Sequence, residues 1–291
     1  MLEKRPLLDR KKYFTFQSVV LLWWAGFKDG IAFHRCVVYC VHDPRIGHKI
    51  AECFVLNGIF LISILGWGYL APWIKQLMQA SMAGWAFVDA AYLLLLTVST
   101  VLWLIPVYFI SYRLSCDWYQ DIARLALPVA RTRPGQGDAQ PPSAAQRQQH
   151  RQRQGGVAAE IAHELFRFLM FLVFFVQCWV VSFVPFIGKY LYFTLLCWLY
   201  SLYSFDYKWD LARRDLQQRI DFFQQHWAFF LGFGTAPAAV SLYFPFFSGA
   251  AILAMVYPLV ILVAFDSNAR VAYCAVEARE QAAGRKLQIG R

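Results

Sequence analysis

The chain has 291 residues, of which 59% are hydrophobic and 18% aromatic, with a formal net charge of +10. A soluble domain of this size has no use for 26 Phe, 15 Tyr and 11 Trp beside so few charges, so the composition belongs to the membrane class. Of the 28 Lys and Arg, 26 fall in segments that would share one side of a bilayer, and only Lys75 and Lys189 fall on the other. Such asymmetry orients membrane helices with the basic loops in the cytosol. It predicts a polytopic protein with both termini cytosolic and explains the basic charge by topology and anionic lipid headgroups. Nucleic acid is not expected as a partner, because no binding motif accompanies the charge.

In chain order, residues 1–49 form a cytosolic basic segment. Phe16, Val20, Trp23, Phe27 and Ile31 recur at helical spacing, while Lys28, Asp29 and Arg35 interrupt the apolar run. This predicts an amphipathic helix lying in the interface, with a buried transmembrane helix as the alternative. No small-residue cleavage site follows the basic N-terminus, so a cleaved signal is not expected. Gly26-Phe-Lys-Asp-Gly30 fits G-x-x-x-G by count, but its charged interior argues against a lipid-buried dimer face and for chance.

Residues 50–130 hold two spans. The first, Phe54 to Ile74, ends near Pro72; the second, Val88 to Ile110, carries Asp89 at its outer end. A helical extension follows, with Leu114, Trp118, Ile122, Leu125 and Val129 in a stripe and Pro128 limiting its length. The stretch 131–156, within a loop 131–158, lacks any large apolar residue and is expected to be a disordered cytosolic segment.

Residues 159–267 contain two apolar blocks, each a helical hairpin. Leu165–Val184 and Tyr190–Phe205 flank Pro185 to Lys189; Ala228–Phe244 and Ala250–Phe265 flank Pro245 to Gly249. Their short arms suit either full crossing or partial penetration. Between them, Trp209, Ala212, Leu216, Ile220, Phe223 and Trp227 repeat at helical spacing, predicting one amphipathic helix over 206–227 with Asp210–Arg214 and Asp215–Arg219 pairs. The tail 268–291 is polar and cytosolic, with a short Ala-rich helix over 268–283. The fold class is therefore all-α: two spanning helices, two membrane hairpins and cytosolic amphipathic helices.

No catalytic constellation emerges. His163-Glu164 opens an H-E-x-x-H pattern, but Arg167 stands where the second ligand belongs; His34, Cys36, Cys40 and His42 match no zinc spacing. The seven cysteines form no disulfide framework and are expected to pack as reduced thiols. Asn57 and Gln177, the polar residues within the spans, are expected to hydrogen-bond neighbouring helices. The chain is therefore expected to be no enzyme and to use no cofactor or metal.

Three segments carry a resemblance: Trp118-Tyr119-Gln120-Asp121-Ile122-Ala123, Leu199 to Trp209 with Asp206-Tyr207 inside it, and His226 to Gly234 with Trp227, Gly232, Gly234 and then Pro237. Val184-Pro185 and Tyr257-Pro258 add to it. In this order, over residues 45 to 270, they resemble the etoposide-induced protein 2.4 family of endoplasmic-reticulum membrane proteins. The resemblance implies a multi-pass protein of that membrane acting in macroautophagy, in autophagosome formation and maturation, with autophagy proteins as partners beside the lipid bilayer. It also implies distant kinship with CysZ sulfate permeases, whose hairpins enter the bilayer partway. A membrane scaffold or shaper is the first reading and a CysZ-like anion channel the alternative. For the channel, backbone N–H groups at Gly232, Phe233 and Gly234 are the expected anion contact. The motif residues Trp118, Tyr119, Gln120, Asp121, Asp206, Tyr207, Trp209, Trp227, Gly232, Gly234, Pro237 and Pro258 otherwise read as structural. Asp121 is expected to pair with Arg124, and Asp206 with Lys208 and Arg213.

Overall fold

A computed structural model describes residues 15–81, 88–132, 169, 172–174 and 176–289. The basic N-terminus, the Arg/Gln-rich stretch from 133 and most of the first half of the first hairpin's leading arm lie outside the described residues. All regular structure among those described is helical.

Helix α1 (Phe16–Gly30) and helix α2 (His34–His42) precede the long helix α3 (Pro44–Ser81). Asp43 caps α3: its carboxylate accepts the Arg45 N–H at 3.0 Å, and Pro44 sits at the first position, where its missing N–H costs nothing. The expected stop at Pro72 does not occur. The proline is carried inside the helix, which runs on to Ser81; such a proline removes only one backbone bond, and a membrane helix tolerates that loss.

The second span is continuous from Val88 to Arg131. It comprises α4 (Val88–Ser99), a π-helical turn (Thr100–Leu104) and α5 (Ile105–Arg131). The wide turn immediately precedes Pro106, whose ring would otherwise crowd the carbonyl one turn back. At 1.5 Å per residue, α3 rises about 57 Å and α4–α5 about 66 Å, twice the ~30 Å of a hydrocarbon core. Both therefore continue beyond the bilayer. Their exposed apolar bands locate it: Val55 to Leu77 on α3 and Leu93 to Leu114 on α4–α5 are each rich in exposed large side chains, and each rises about 32 Å. Lys75 and Asp89 pair at 3.1 Å at the far edge of this band.

Helical residues between 172 and 182 lead to a turn at 183–187, where Phe186 has φ 61° and is 91% exposed. Helix α6 (Gly188–Leu211) returns from that tip. The expected continuous helix over 206–227 is broken. Residues 206–211 belong to α6; a turn with Arg213 at φ 54° follows; then come α7 (Leu216–Gln225) and α8 (Trp227–Phe233). The break has a reason in charge. The reversal carries Arg219 back onto the buried Asp206 and the partly exposed Asp210 of α6. Helix α9 (Thr235–Tyr243), α10 (Phe246–Asp266) and α11 (Ala269–Ile289) complete the chain. The tail helix is longer than expected and docks on α1, with Glu280 accepting from Ser18 and Thr15.

The second hairpin, α8–α9 with α10, stops inside the apolar band. Near its tip, Phe247 and Ala251 pack with Phe60, Ile64, Leu104 and Tyr108. The tip thus ends about 16 Å short of Lys75 along α3 and about 22 Å short of Asp89 along α4–α5. The lower half of α10 lies in a protein core built from Phe205, Trp209, Phe230, Phe233, Tyr257 and Phe265.

Candidate functional site

The motif segments meet at the base of the hairpins. On α5, Tyr119 is buried and its hydroxyl donates to the Ala254 carbonyl at 2.8 Å. Ala254 lies four residues before Pro258, which has no N–H to offer it; Tyr119 supplies the missing donor. The Trp118–Asp121 segment and Tyr257–Pro258 are therefore coupled across two helices, and the Tyr119 and Tyr257 rings lie 5.4 Å apart. Trp118 lies under Lys49, with the ammonium 5.9 Å from its ring centre. Asp121 is 3.8 Å from both Arg124 and Lys49, an outer contact between half-exposed groups. Gln120 is half-buried beside them.

Asp206, Tyr207, Lys208 and Trp209 form a buried run on α6. Asp206 pairs with Arg219, a partner beyond the Lys208 and Arg213 that were expected. Arg219 Nη1 lies 2.6 Å from Asp206 and Nη2 2.9 Å from Asp210, with Arg219 and Asp206 4% and 1% exposed. The expected Asp210–Arg214 and Asp215–Arg219 helical pairs are replaced by this link, and Asp215 instead stands at the N-cap of α7. Lys208 Nζ donates to the Phe265 and Ser267 carbonyls at 3.1 and 2.9 Å, closing the C-terminus of α10. A cation there also meets the negative end of the helix dipole. The Tyr207 hydroxyl donates to Tyr203 at 2.8 Å, and the Trp209 ring sits against Phe205, Phe222 and Phe230. A second ion cluster ties α1 and α2 to α10: Arg35 lies 3.1 Å from Asp29 and 3.5 Å from Asp266. Burial raises the Asp29 carboxyl above its ordinary range, with Arg35 partly offsetting it.

The third motif segment is a backbone crossing. A Cβ on Gly232 would overlap the Trp23 carbonyl oxygen and lie 2.9 Å from the Phe27 nitrogen; on Gly26 it would overlap the Phe229 carbonyl, and on Gly30 it would lie 2.6 Å from that of Phe233. Three glycines thus let α1 and α8 touch backbone to backbone. The G-x-x-x-G pattern is a contact surface and not chance: Lys28 is exposed on the opposite side of the helix, and Asp29 at the flank is taken up by Arg35. On α1, Phe16, Val20, Trp24 and Ile31 are exposed, Trp23 and Phe27 are partly buried with Trp23 donating to Thr235 at 3.2 Å, and Ser18, Leu22, Gly26 and Gly30 face in. Gly234 makes a second approach, to the Cys197 carbonyl on α6, and Ser201 Oγ donates to the Phe230 carbonyl at 2.5 Å. Pro237 and Phe233 are buried nearby, and Trp227 is partly exposed with its carbonyl accepting from Trp198 at 3.2 Å. Carbonyl oxygens of neighbouring helices fill the space over Gly232 and Gly234. The Gly234 N–H, one of the groups expected at an anion contact with those of Gly232 and Phe233, donates to the Phe230 carbonyl.

Of the polar residues within the spans, Asn57 bridges helices: its amide donates to Ser115 at 3.1 Å and accepts from Ser111 at 3.0 Å. Gln177 is exposed. Among the described residues no group of three His, Cys, Asp or Glu side chains is placed to hold a metal ion.

A profile of the family described as Sulfate transporter CysZ/Etoposide-induced protein 2.4 matches residues 32–265. The chain is 33% identical over 276 residues to Protein EI24 homolog of Arabidopsis thaliana, covering 87% of this chain and 84% of that one. It is 26% identical to Protein EI24 homolog of Dictyostelium discoideum, over 85% of this chain and 74% of that one. Ectopic P granules protein 4 of Caenorhabditis elegans is 26% identical over 57% of this chain and 48% of its own. No solved structure matches. The all-α polytopic fold, the three converging segments and these similarities agree that the chain belongs to the Sulfate transporter CysZ/Etoposide-induced protein 2.4 family.

Proposed function

We propose that this protein is a non-enzymatic scaffold or shaper of the endoplasmic-reticulum membrane acting in macroautophagy, with both termini in the cytosol. Family membership and the relatives named EI24 homolog support the autophagy role. The observation that carries the shaping role is the second hairpin's tip at Ile64 and Leu104, partway through the exposed apolar band. A hairpin that ends there adds helix cross-section to one leaflet only, and α1, with Phe16, Val20 and Trp24 exposed, adds more at the same surface. The 26 basic residues on that side supply attraction to anionic headgroups and set the orientation.

The test is genetic replacement in cells of the protein's own organism. Loss of the gene should lower autophagic flux several-fold, and the full chain should restore it. Unchanged flux with altered reticulum shape would leave a membrane-shaping role without autophagy. A glycan acceptor placed near position 140 should stay unmodified; modification would reverse the orientation. The family description also covers sulfate transporters, which gives anion permeation as the second reading. Sulfate flux through proteoliposomes of the purified protein would favour it.

A further inference from the structure

An open cavity of about 570 Å³ lies where the first turns of α3 pass the C-terminal half of α5, within the size range of small-ligand sites. Helix α3 lines it with Arg45, His48 and Lys49, and α5 with Asp121 and Arg124; Pro44 and Leu125 add an apolar lining. Three permanent cations, and His48 when protonated, thus stand around one lining carboxylate.

The pairing of these groups selects the guest. Arg45 is held from one side by Asp43 at 2.8 Å, and Lys49 by Glu52 at 3.0 Å, with His48 3.3 Å from the same carboxylate. With Asp43 and Glu52 counted, three carboxylates balance the three permanent cations, so a bare polyanion is not the complement of this cavity. Arg124 is the loosest member: Asp121 lies 3.8 Å away, longer than a hydrogen bond, and the arginine side chain is 65% exposed. Asp121 is also 3.8 Å from Lys49. Arg45 bonds Asp43 through Nε and Nη2 and keeps its Nη1 donors. The cavity therefore presents N–H donors beside a carboxylate with open acceptor positions. A guest that carries both phosphate and hydroxyl groups satisfies both: its phosphate oxygens accept from the cations and its hydroxyls donate to Asp121.

Depth selects how that guest arrives. The exposed apolar band is bounded on this side by Val55 on α3 and Leu114 on α5. The lining residues stand about 9–17 Å beyond those two along their helices. The headgroup layer on each side of a bilayer is only about 5–8 Å deep, and it holds the phosphodiester of any phospholipid. A ring substituted on that phosphodiester reaches further out and carries its own phosphate to the level of the cavity. The acyl chains have a track as well. Val55, Ile59 and Ile62 are exposed on the same face of α3 as His48, so chains laid along them bring the headgroup to the cavity.

We propose that this cavity binds the headgroup of a ring-phosphorylated inositol lipid. The ring phosphate is held by Arg45, Arg124 and His48, and free ring hydroxyls donate to Asp121. This deepens the attraction to anionic headgroups proposed above and rests on the cytosolic placement of the basic residues, the side on which inositol lipids lie.

The experiment is native mass spectrometry of the full chain in detergent, with dioctanoyl lipids at equal concentration. Phosphatidylinositol monophosphates should occupy the protein about tenfold more than phosphatidylinositol or phosphatidylserine. Inositol bisphosphate without acyl chains should bind about tenfold more weakly than the lipid, having lost the contacts along Val55 to Ile62. Arg124→Gln with His48→Gln, both exposed side chains, should cut monophosphate occupancy about tenfold with elution and Tm unchanged. Asp121→Ala should narrow the preference for the monophosphates over dioctanoyl phosphatidic acid, which has a phosphate but no hydroxyl ring. Equal occupancy by phosphatidylserine, an unaltered double variant, or an unchanged preference in Asp121→Ala would overturn the proposal, and equal binding of the chain-free headgroup would overturn its lipid source. The lipid series on the wild type decides the outcome even where a variant does not fold. Binding in detergent needs neither the orientation nor the autophagy role, so its failure is distinct from a failure of that reading, which the glycan acceptor and flux assays report.

Discussion

The crossing of α1 over α8 gives a prediction whose sign separates two accounts of the same glycines. In an isolated or lipid-facing helix, Gly→Ala stabilises by up to about 1 kcal/mol, because alanine has less backbone freedom to lose. At Gly26 and Gly232 the added methyl would overlap the Phe229 and Trp23 carbonyl oxygens, which are backbone and cannot rotate aside. Overpacking of that kind costs about 1–3 kcal/mol, so each single substitution should destabilise by about 1–2 kcal/mol after the propensity gain is subtracted. Once either methyl has pushed the helices apart, the second meets less resistance. The double variant should therefore lose clearly less than the sum of the singles. Gly66→Ala is the control: nothing lies within 4 Å of a Cβ there, and it should be neutral or stabilising. The assay is reversible denaturation of the purified protein in mixed detergent and SDS micelles, followed by tryptophan fluorescence. If Gly26→Ala and Gly232→Ala both stabilise as Gly66→Ala does, the backbone contact does not exist and α1 lies free in the interface.

Two further outcomes are expected. Arg219→Met should destabilise by about 3–5 kcal/mol, because it leaves the buried Asp206 carboxylate without its guanidinium, whereas Arg219→Met with Asp206→Leu should recover most of that loss; an additive double variant in the same denaturation assay would contradict the pairing. Burial pushes the Cys36 thiol up to about 12, so about one side chain in a hundred thousand is thiolate at pH 7. A water-soluble maleimide should therefore label the exposed Cys274 and leave Cys36 unmodified until the protein unfolds; comparable labelling rates would show that α2 is not packed on α10.

The helix content and both spans were legible in the sequence because lipid imposes long apolar runs; their ends were less so, since Pro72 lies inside the first helix and residues 246–249, expected in a turn, open α10. Asn57 was legible as a bridge for the same reason: a lone amide in a span needs a partner on another helix. What escaped was everything decided by face and not by run. The Lys28 and Asp29 between Gly26 and Gly30 argued against a contact, although Lys28 lies on the opposite side of the helix and Asp29 turns aside to Arg35. Arg219 sits between Leu216 and Phe223 on the inward stripe of α7, a position that marks a cation as buried; counting only i,i+4 partners assigned it to Asp215. Helix continuity across 206–227 was the wrong inference for a related reason. Its apolar spacing is regular, but the turn at 212–215 reverses the chain and carries Arg219 back to Asp206 and Asp210 of α6, a tertiary pairing that periodicity does not report.

These buried charges also bear on why the hairpins stop where they do. Helix α10 rises about 30 Å from Phe246 to Asp266, enough by length to cross a bilayer, yet its tip reaches only Ile64 and Leu104. Its base is held by Lys208, whose ammonium caps its last carbonyls, and by Arg35 against Asp266. Sliding the hairpin deeper would draw these groups and the Asp206–Arg219 pair toward hydrocarbon, at about 2.5–3.5 kcal/mol for each charged side chain by insertion scales. Against that, the gain from burying another turn of apolar surface is small, because the lower half of α10 is already sheltered by α2, α5 and α6. Depth is thus set from the base, by where charge can reside, and not from the tip, by how much apolar helix is available.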